Sequence, residues 1–386
     1  MKVLFVSNDP AIFDATSAVR ARMREYAAAI GELHIVSPAA RAARGEQDGN
    51  LFLYPVHAWK IFRIGALAER ARQIISERGI EVVSAQDPFE QGLAALRSVQ
   101  GTGAKLHIQV HTDFLSPWFV RDGNWRSPAV RMPLLNRYRR SIADRVLPTA
   151  DGIRVVSERI KASLMARYGS TIPEPMVIPV VVDAVVPPPV PLPAHPAFTF
   201  ALITVGRLEP EKRIEDILMA LKLVIRHYPM VGLFVVGDGR ERRNLERMAR
   251  SLGLADKVVF LRGWRPTAEA RGLMASAHAF IQASAYEGYG RTLIEAALAK
   301  VPIITTDVGI VGEVFKGYED VLAVPVADPT ALSLGIVGLI EDSTVRLELP
   351  RHAEETARAH LAAAGDIPAR IAADLVRVTL PSQAAL

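Results

Sequence analysis

Residues Ala279–Asp307 read AFIQASAYEGYGRTLIEAALAKVPIITTD. The run AFIQAS is apolar without polar alternation, as expected of a strand buried on both faces. AYEGYGR follows as a glycine-rich loop, TLIEAALAK as a helix and PIITT as a second buried strand. Strand, loop, helix and strand in that order make a parallel βαβ unit, and ligands in such folds gather beyond the carboxyl ends of the strands.

The unit recurs along the chain. Upstream, ALITVG, LFVVG and KVVFLR alternate with the helical patterns EDILMALKLVIRHY and RNLERMARSLG, and VLAVP follows downstream. The first half repeats the scheme with KVLFVSN, LHIVS, VVSAQ, LHIQV, IRVVS and MVIPVVV, separated by helices such as SAVRARMREYAAAI and GALAERARQIISER. Between the halves lies VVPPPVPLPAHP (Val185–Pro196), which neither pairs in a sheet nor continues a helix. The expected fold class is α/β, with two doubly wound Rossmann-like parallel-sheet domains facing each other across a cleft. The expected limits are 1–184 and 198–365 for the domains and 185–197 for the linker, with a helix at about 366–386 packing back on the first domain.

Composition agrees with this reading. At 386 residues the chain exceeds one hydrophobic core. Half of it is apolar and 23% is charged, ordinary for a soluble globular protein. Cysteine is absent, which excludes disulfides, thiolate metal sites and cysteine nucleophiles and suits a reducing compartment. The start, MKVLFVSNDPAIFD, enters a strand with no secretory-type leader, and no apolar run is long enough for a membrane span. A cytoplasmic location is expected.

Residues 1–186 carry 24 Lys and Arg against 18 Asp and Glu, so the positive excess lies in the first half. Within it, Trp118–Arg145 holds seven arginines, two acids and several aromatics. Two readings stand: a solvated helix face with packed aromatics, or a patch that touches anionic lipid on the inner membrane face or a lipid-diphosphate acceptor. The basic pI brings no nucleic-acid recognition module with it, so no nucleic acid is expected as a partner.

Two loops carry chemistry. Glu287 sits among Gly288, Tyr289 and Gly290, where the backbone can approach a ligand closely, and the helix opening at Arg291 and Thr292 offers free N–H groups to an anion. Glu295 also fits a Thr292-x-x-Glu295 capping box, and Glu287 could be a solvated surface acid. The second loop, VGRLEPEKRIEDI (Val205–Ile217), follows a strand and places Gly206, Arg207 and Lys212 before a helix, as a diphosphate would require. The bland alternative pairs those cations with Glu209 and Glu211. Together the loops suit a nucleotide-sugar, with cations for the pyrophosphate and carboxylates for the hydroxyls. No Asp-x-Asp occurs, which favours fixed cations over a metal for the departing diphosphate, so no metal or cofactor is expected.

The glutamate pair in E-x7-E spacing, GRLEPEK, the VVGDG turn and KVVFLRGW resemble the GT4-type retaining glycosyltransferases of the GT-B fold, glycosyl transferases group 1. The resemblance is strongest over Thr204–Gly312. It implies a donor site in the C-terminal domain and an acceptor side in the N-terminal one. Arg207 and Lys212 would hold the diphosphate, Glu295 the ribose, and Glu287 the donor sugar with the N–H groups of Gly288–Arg291. Arg262, Trp264 and Arg265 would flank the base. In QVHTDF, His111 matches the family's active-site histidine, although a lone histidine at a strand end is as readily structural. Asp87 and Asp113 would face the acceptor, or cap the helices that follow them.

The implied reaction is hexosyl transfer from a UDP- or GDP-sugar to a saccharide or lipid-linked hydroxyl, with no essential metal. A nucleotide-sugar epimerase and a non-catalytic sugar-nucleotide binder are the alternatives. VGDGRERRN has Arg242 where a nicotinamide fingerprint needs its third glycine. The chain departs from the family in four places: SNDPAIFDATSAVR lacks the glycine pair of the first loop, Lys300 and Ile310 replace glycines, and PVVVD (Pro179–Asp183) replaces Pro-Asn-Gly-Val-Asp.

Overall fold

A computed structural model describes residues 1–120, 133–193, 195, 198–263 and 265–380. The chain forms two compact units, Met1–Pro179 with Asp366–Leu386, and Val180–Gly365.

The first unit contains β1 (Lys2–Val6), β2 (Glu32–Pro38), β3 (Glu46–Asp48), β4 (Leu51–Val56), β5 (Val82–Ala85), β6 (Lys105–Val110), β7 (Gly152–Val155) and β8 (Met176–Val177). They lie in the order β3-β4-β2-β1-β5-β6-β7-β8, and every pairing is parallel except β3 with β4. The unalternating runs in the sequence therefore are strands covered on both faces: β1 and β5 are buried nearly end to end. The β3–β4 hairpin lies outside the pattern expected from sequence. Its Asp48-Gly49-Asn50 link, with Gly49 at φ 63°, allows only an antiparallel partner. The run MVIPVVV pairs only at Met176–Val177. Beyond it the carbonyls of Ile178 and Pro179 accept hydrogen bonds from the buried Arg154 guanidinium and do not continue the ladder.

In the second unit, β9 (Phe200–Val205), β10 (Val231–Val236), β11 (Val258–Leu261), β12 (Ala279–Gln282), β13 (Ile303–Thr306) and β14 (Leu322–Val324) lie in the order β11-β10-β9-β12-β13-β14, all parallel. From β9 the chain winds outward through β10 and β11, and from β12 it winds the other way. β9 and β12 are thus the switch point of the sheet, where the loops at their carboxyl ends diverge and leave room for a ligand. The register of Ala279 with Leu202 and Phe280 with Ile203 brings both strand ends to one edge.

The proline run packs on this unit. Val190 N–H donates to the Gly272 carbonyl at 2.9 Å, and a side chain at Gly272 would meet Val190 within 2.6 Å. After the helix Ser343–Ala364 the chain passes to the first unit, where Asp366 caps the helix Ile367–Thr379. That helix lies against Ala18–Ile30 and over β7, with Val378 directly above Gly152. Among the described residues, no helix is long and apolar enough to cross a membrane.

Candidate functional site

The loops after β9 and β12 meet through their backbones. Ala285 N–H donates to the Glu211 carbonyl at 2.7 Å. The short 3-10 turn Pro210–Lys212 then directs Lys212 at Glu287, with Nζ 2.5 Å from Oε1 and both side chains largely buried. Ser284 donates its hydroxyl to the same Glu287 oxygen at 2.7 Å. The bland pairing foreseen for the loop after β9 therefore holds only in part. Arg207 pairs with Glu211 at 3.2 Å and stays exposed, Glu209 pairs with Arg240 at 2.8 Å, and Lys212 reaches across to the other loop. Behind the loop, Gly237 takes φ 136°, and a Cβ there would lie 2.0 Å from the Gly206 carbonyl oxygen. Only glycine lets the β10 turn back the β9 loop this closely.

The helix after β12, Arg291–Leu298, begins at Gly290 in the left-handed conformation and has no side-chain cap. The capping box does not form. Thr292 donates to Gln282 at 2.7 Å, and Glu295 accepts from Arg291 Nε at 2.8 Å. The helix start therefore keeps its N–H groups free of side-chain caps, the arrangement that attracts phosphate oxygens. Glu295 is 6% exposed. Burial raises its pKa, opposed by Arg291 and Arg271. Arg271 gave no signal in the sequence, because in the short helix Thr267–Ala275 it stands two positions after Glu269 and reads as part of a solvated face. It is buried, donates Nη1 to the Asp183 carbonyl at 2.9 Å, and leaves Nε and Nη2 without a hydrogen-bond partner.

Other candidates are placed differently. The Tyr289 side chain is buried and bonded to His360 Nε2 at 2.7 Å, so only its backbone faces the loop. That backbone carbonyl accepts from Ile310 N–H at 2.9 Å, beside Gly309 at φ 61°. The first glycine of the usual pair is thus kept, while Ile310, at the second, is fully buried. Lys300 adopts φ 57°, the conformation that makes glycine the usual residue there, and pairs with Glu354 at 2.9 Å. Arg262 is exposed beyond β11, two strands from β9. Arg265 pairs with Glu269 at 2.8 Å, and Trp264 lies outside the described residues.

In the first unit, His111 follows β6, with Nε2 3.0 Å from Gln109 Oε1. Burial, with Arg154 and Arg22 nearby, pushes its pKa down to about 3, so the ring is neutral. Asp87 caps the helix Glu90–Val99, while Asp113 closes the turn before the helix Pro117–Val120, which the Ser116 hydroxyl caps. Asp87 accepts from Phe89 N–H at 2.7 Å, and Asp113 accepts from Ser116 N–H at 3.2 Å. Burial pushes Asp87 up to about 6 and raises Asp113. The first loop closes on itself: Asp9 caps Pro10–Phe13, and Ser17 caps Ala18–Ile30. In the arginine-rich stretch, Arg139 pairs with Glu90 at 2.9 Å and Arg140 donates to the Phe114 carbonyl at 2.9 Å, while residues 121–132 lie outside the described part. No group of three or more His, Asp or Glu suited to a metal occurs among the described residues.

Residues 195–360 match the family model of glycosyl transferases group 1, and residues 17–186 match that of glycosyltransferase family 4. The lipopolysaccharide core biosynthesis glycosyltransferase LpsD of Rhizobium meliloti is 32% identical over 42% of this chain and 46% of its own length. A glycogen synthase of Mycobacterium tuberculosis is 31% identical over 41% of this chain and 36% of its own. The aligned part thus spans less than half of these relatives. Among solved structures, sucrose-phosphate synthase from Thermosynechococcus elongatus superposes with a TM-score of 0.78 at 19% identity, covering 98% of both chains. Anabaena HepE in complex with UDP and glucose superposes at 0.72 and 18% identity over 98% of this chain and 100% of its own. At these identities the likeness speaks for the fold.

Proposed function

Because the chain belongs to the GT4-type glycosyltransferases of group 1, built on the GT-B fold, we propose that it moves a hexosyl unit from a UDP- or GDP-sugar to a hydroxyl acceptor. The transfer retains configuration, needs no metal, and serves cell-surface polysaccharide or glycolipid synthesis. The observation that supports this most directly is the meeting of Lys212 and Glu287 at the switch point, beside an uncapped helix that carries Glu295. An ammonium and open N–H groups suit a leaving diphosphate, and buried carboxylates suit hydroxyls. The departing phosphate takes the acceptor's proton, so no separate base is required.

The test is a screen of UDP- and GDP-sugars by thermal shift, since a ligand of the folded state raises its melting temperature. NMR then assigns the anomer formed with saccharide and lipid-linked acceptors. Stabilisation by one donor and a retained anomer formed in the presence of EDTA are expected. Saturable binding with neither transfer nor donor hydrolysis would leave a non-catalytic binder, and epimerised donor would show an epimerase.

A lipid-linked acceptor is the second element of the reading, supported by one face of the first unit. Trp59, Ile61 and Phe62 are 77%, 84% and 65% exposed, Lys60 and Arg63 alternate with them, and no acid occurs from Val56 to Ala68. The helices Arg63–Arg78, Glu90–Val99 and Pro133–Val146 pack side by side and all return from the carboxyl edge of the sheet. Exposed Leu134 therefore shares that edge. Apolar and basic residues so mixed over Trp59–Arg63 suit an anionic bilayer. Sedimentation with phosphatidylglycerol vesicles at low salt is expected to capture the protein, and Trp59→Ala with Ile61→Ala to release it. Equal recovery in the supernatant with and without vesicles would remove the membrane from the proposal.

A further inference from the structure

A chain of buried hydrogen bonds ends at His111. Arg154, 2% exposed, donates Nη1 to Gln109 Oε1 at 3.0 Å, and Gln109 Nε2 lies 3.0 Å from Ser84 Oγ. Ser84 Oγ lies 2.8 Å from His107 Nδ1, and His107 Nε2 lies 3.1 Å from Asp374 Oδ2 on the helix Ile367–Thr379. At Gln109 the atoms leave one assignment of protons. A guanidinium only donates, so Gln109 must turn its carbonyl to Arg154 and its amide N–H to Ser84. Ser84 Oγ accepts that N–H, and His107 links the hydroxyl to Asp374. Gln109 Oε1 can only accept, so His111 Nε2, 3.0 Å away, carries a proton. The other ring nitrogen, Nδ1, is left with a lone pair and no hydrogen-bond partner among the described residues.

We infer that Arg154, acting through Gln109, is a positioning residue that locks His111 in the Nε2–H tautomer and makes Nδ1 a hydrogen-bond acceptor. The atom it recognises is then a hydroxyl that donates, as on a sugar, and not a phosphate or carbonyl oxygen. The assignment of a sugar rests on the glycosyl-transfer reading; the tautomer does not. Ser84, His107 and Asp374 have the residue types of a hydrolase triad but are at most 3% exposed, and here they serve as the anchor of the amide. Burial keeps the His111 ring neutral, and the positive charges of Arg154 on β7 and Arg22 on the helix Ala18–Ile30 act in the same direction.

Long-range proton–nitrogen NMR of histidine-labelled protein reads the tautomer without substrate, with His111→Asn assigning the signal among nine histidines. A neutral Nε2–H ring across the neutral pH range is expected. Gln109→Met should give a mixed tautomer and lower kcat/KM on the order of tenfold or more. Gln109→Glu should let the ring protonate near neutrality, giving kcat/KM an acidic limb that the parent lacks. An Nδ1–H ring in the parent, or an unchanged tautomer in Gln109→Met, overturns the inference. The tautomer as stated in a protein that turns over no donor supports it and sinks the glycosyl-transfer reading alone.

Discussion

Replacing Lys212 with alanine is expected to lower kcat about a hundredfold or more, the usual loss when one charge-stabilising group is taken from a transition state. The structure makes the interpretation of that loss testable. Lys212 is the partner of Glu287 at 2.5 Å, so its removal also strips a largely buried carboxylate of its cation, leaving the Ser284 hydroxyl. Two explanations of a slow Lys212→Ala enzyme follow: lost neutralisation of the leaving diphosphate, or a misplaced Glu287. The double variant Lys212→Met with Glu287→Gln separates them, because a neutral pair needs no cation. If Lys212 serves the diphosphate, the double variant stays at least as slow as the single one. If Lys212 only holds Glu287, the double variant is no slower than Glu287→Gln alone. A Lys212→Ala rate within about threefold of the parent would remove the lysine from the reaction, being far short of the effect expected of a charge-stabilising group.

What could be read from the chain, and what could not, divides along a physical line. Glu287, Glu295, Arg207 and Lys212 were legible because each lies in or just after a loop that closes a buried strand, and the strand type follows from unbroken apolar runs. Their partners were not. Lys212 faces a glutamate 75 positions away, and His107 faces an aspartate 267 positions away. Such pairs depend on strand order and register, which periodicity does not report. Glu295 shows the ambiguity of a local motif, since Thr292 and Glu295 satisfy the capping-box spacing yet bond Gln282 and Arg291 instead. Asp87 shows the reverse, because the local reading as a cap is the one the geometry displays. Arg271 escaped notice because a charged residue in a short helix reads as solvent-facing until the packing around it is known.

Replacing Glu295 with alanine is expected to weaken the bare nucleotide as well as the donor by about ten- to a hundredfold, from the ~1.5–3 kcal/mol of a hydrogen bond to a charged group. The loss must appear with nucleotide alone if the carboxylate holds the ribose, whereas a contact to the sugar would spare it. The pH dependence adds an independent check. Burial holds the Glu295 pKa above its ordinary value, against Arg291 and Arg271. Protonation removes an acceptor, so nucleotide affinity should begin to fall, on acidification, at a higher pH than an ordinary glutamate allows. Stability responds with the opposite sign. A carboxyl with a raised pKa binds its proton more tightly when folded, so this group favours the folded state more as pH falls through the raised value. Glu295→Gln should abolish both trends while keeping the shape, and should leave the buried Arg271 with Asp183 as its remaining negative neighbour. A folded Glu295→Ala protein that binds nucleotide as the parent does would remove the ribose from Glu295 and leave it as the counter-charge of two arginines.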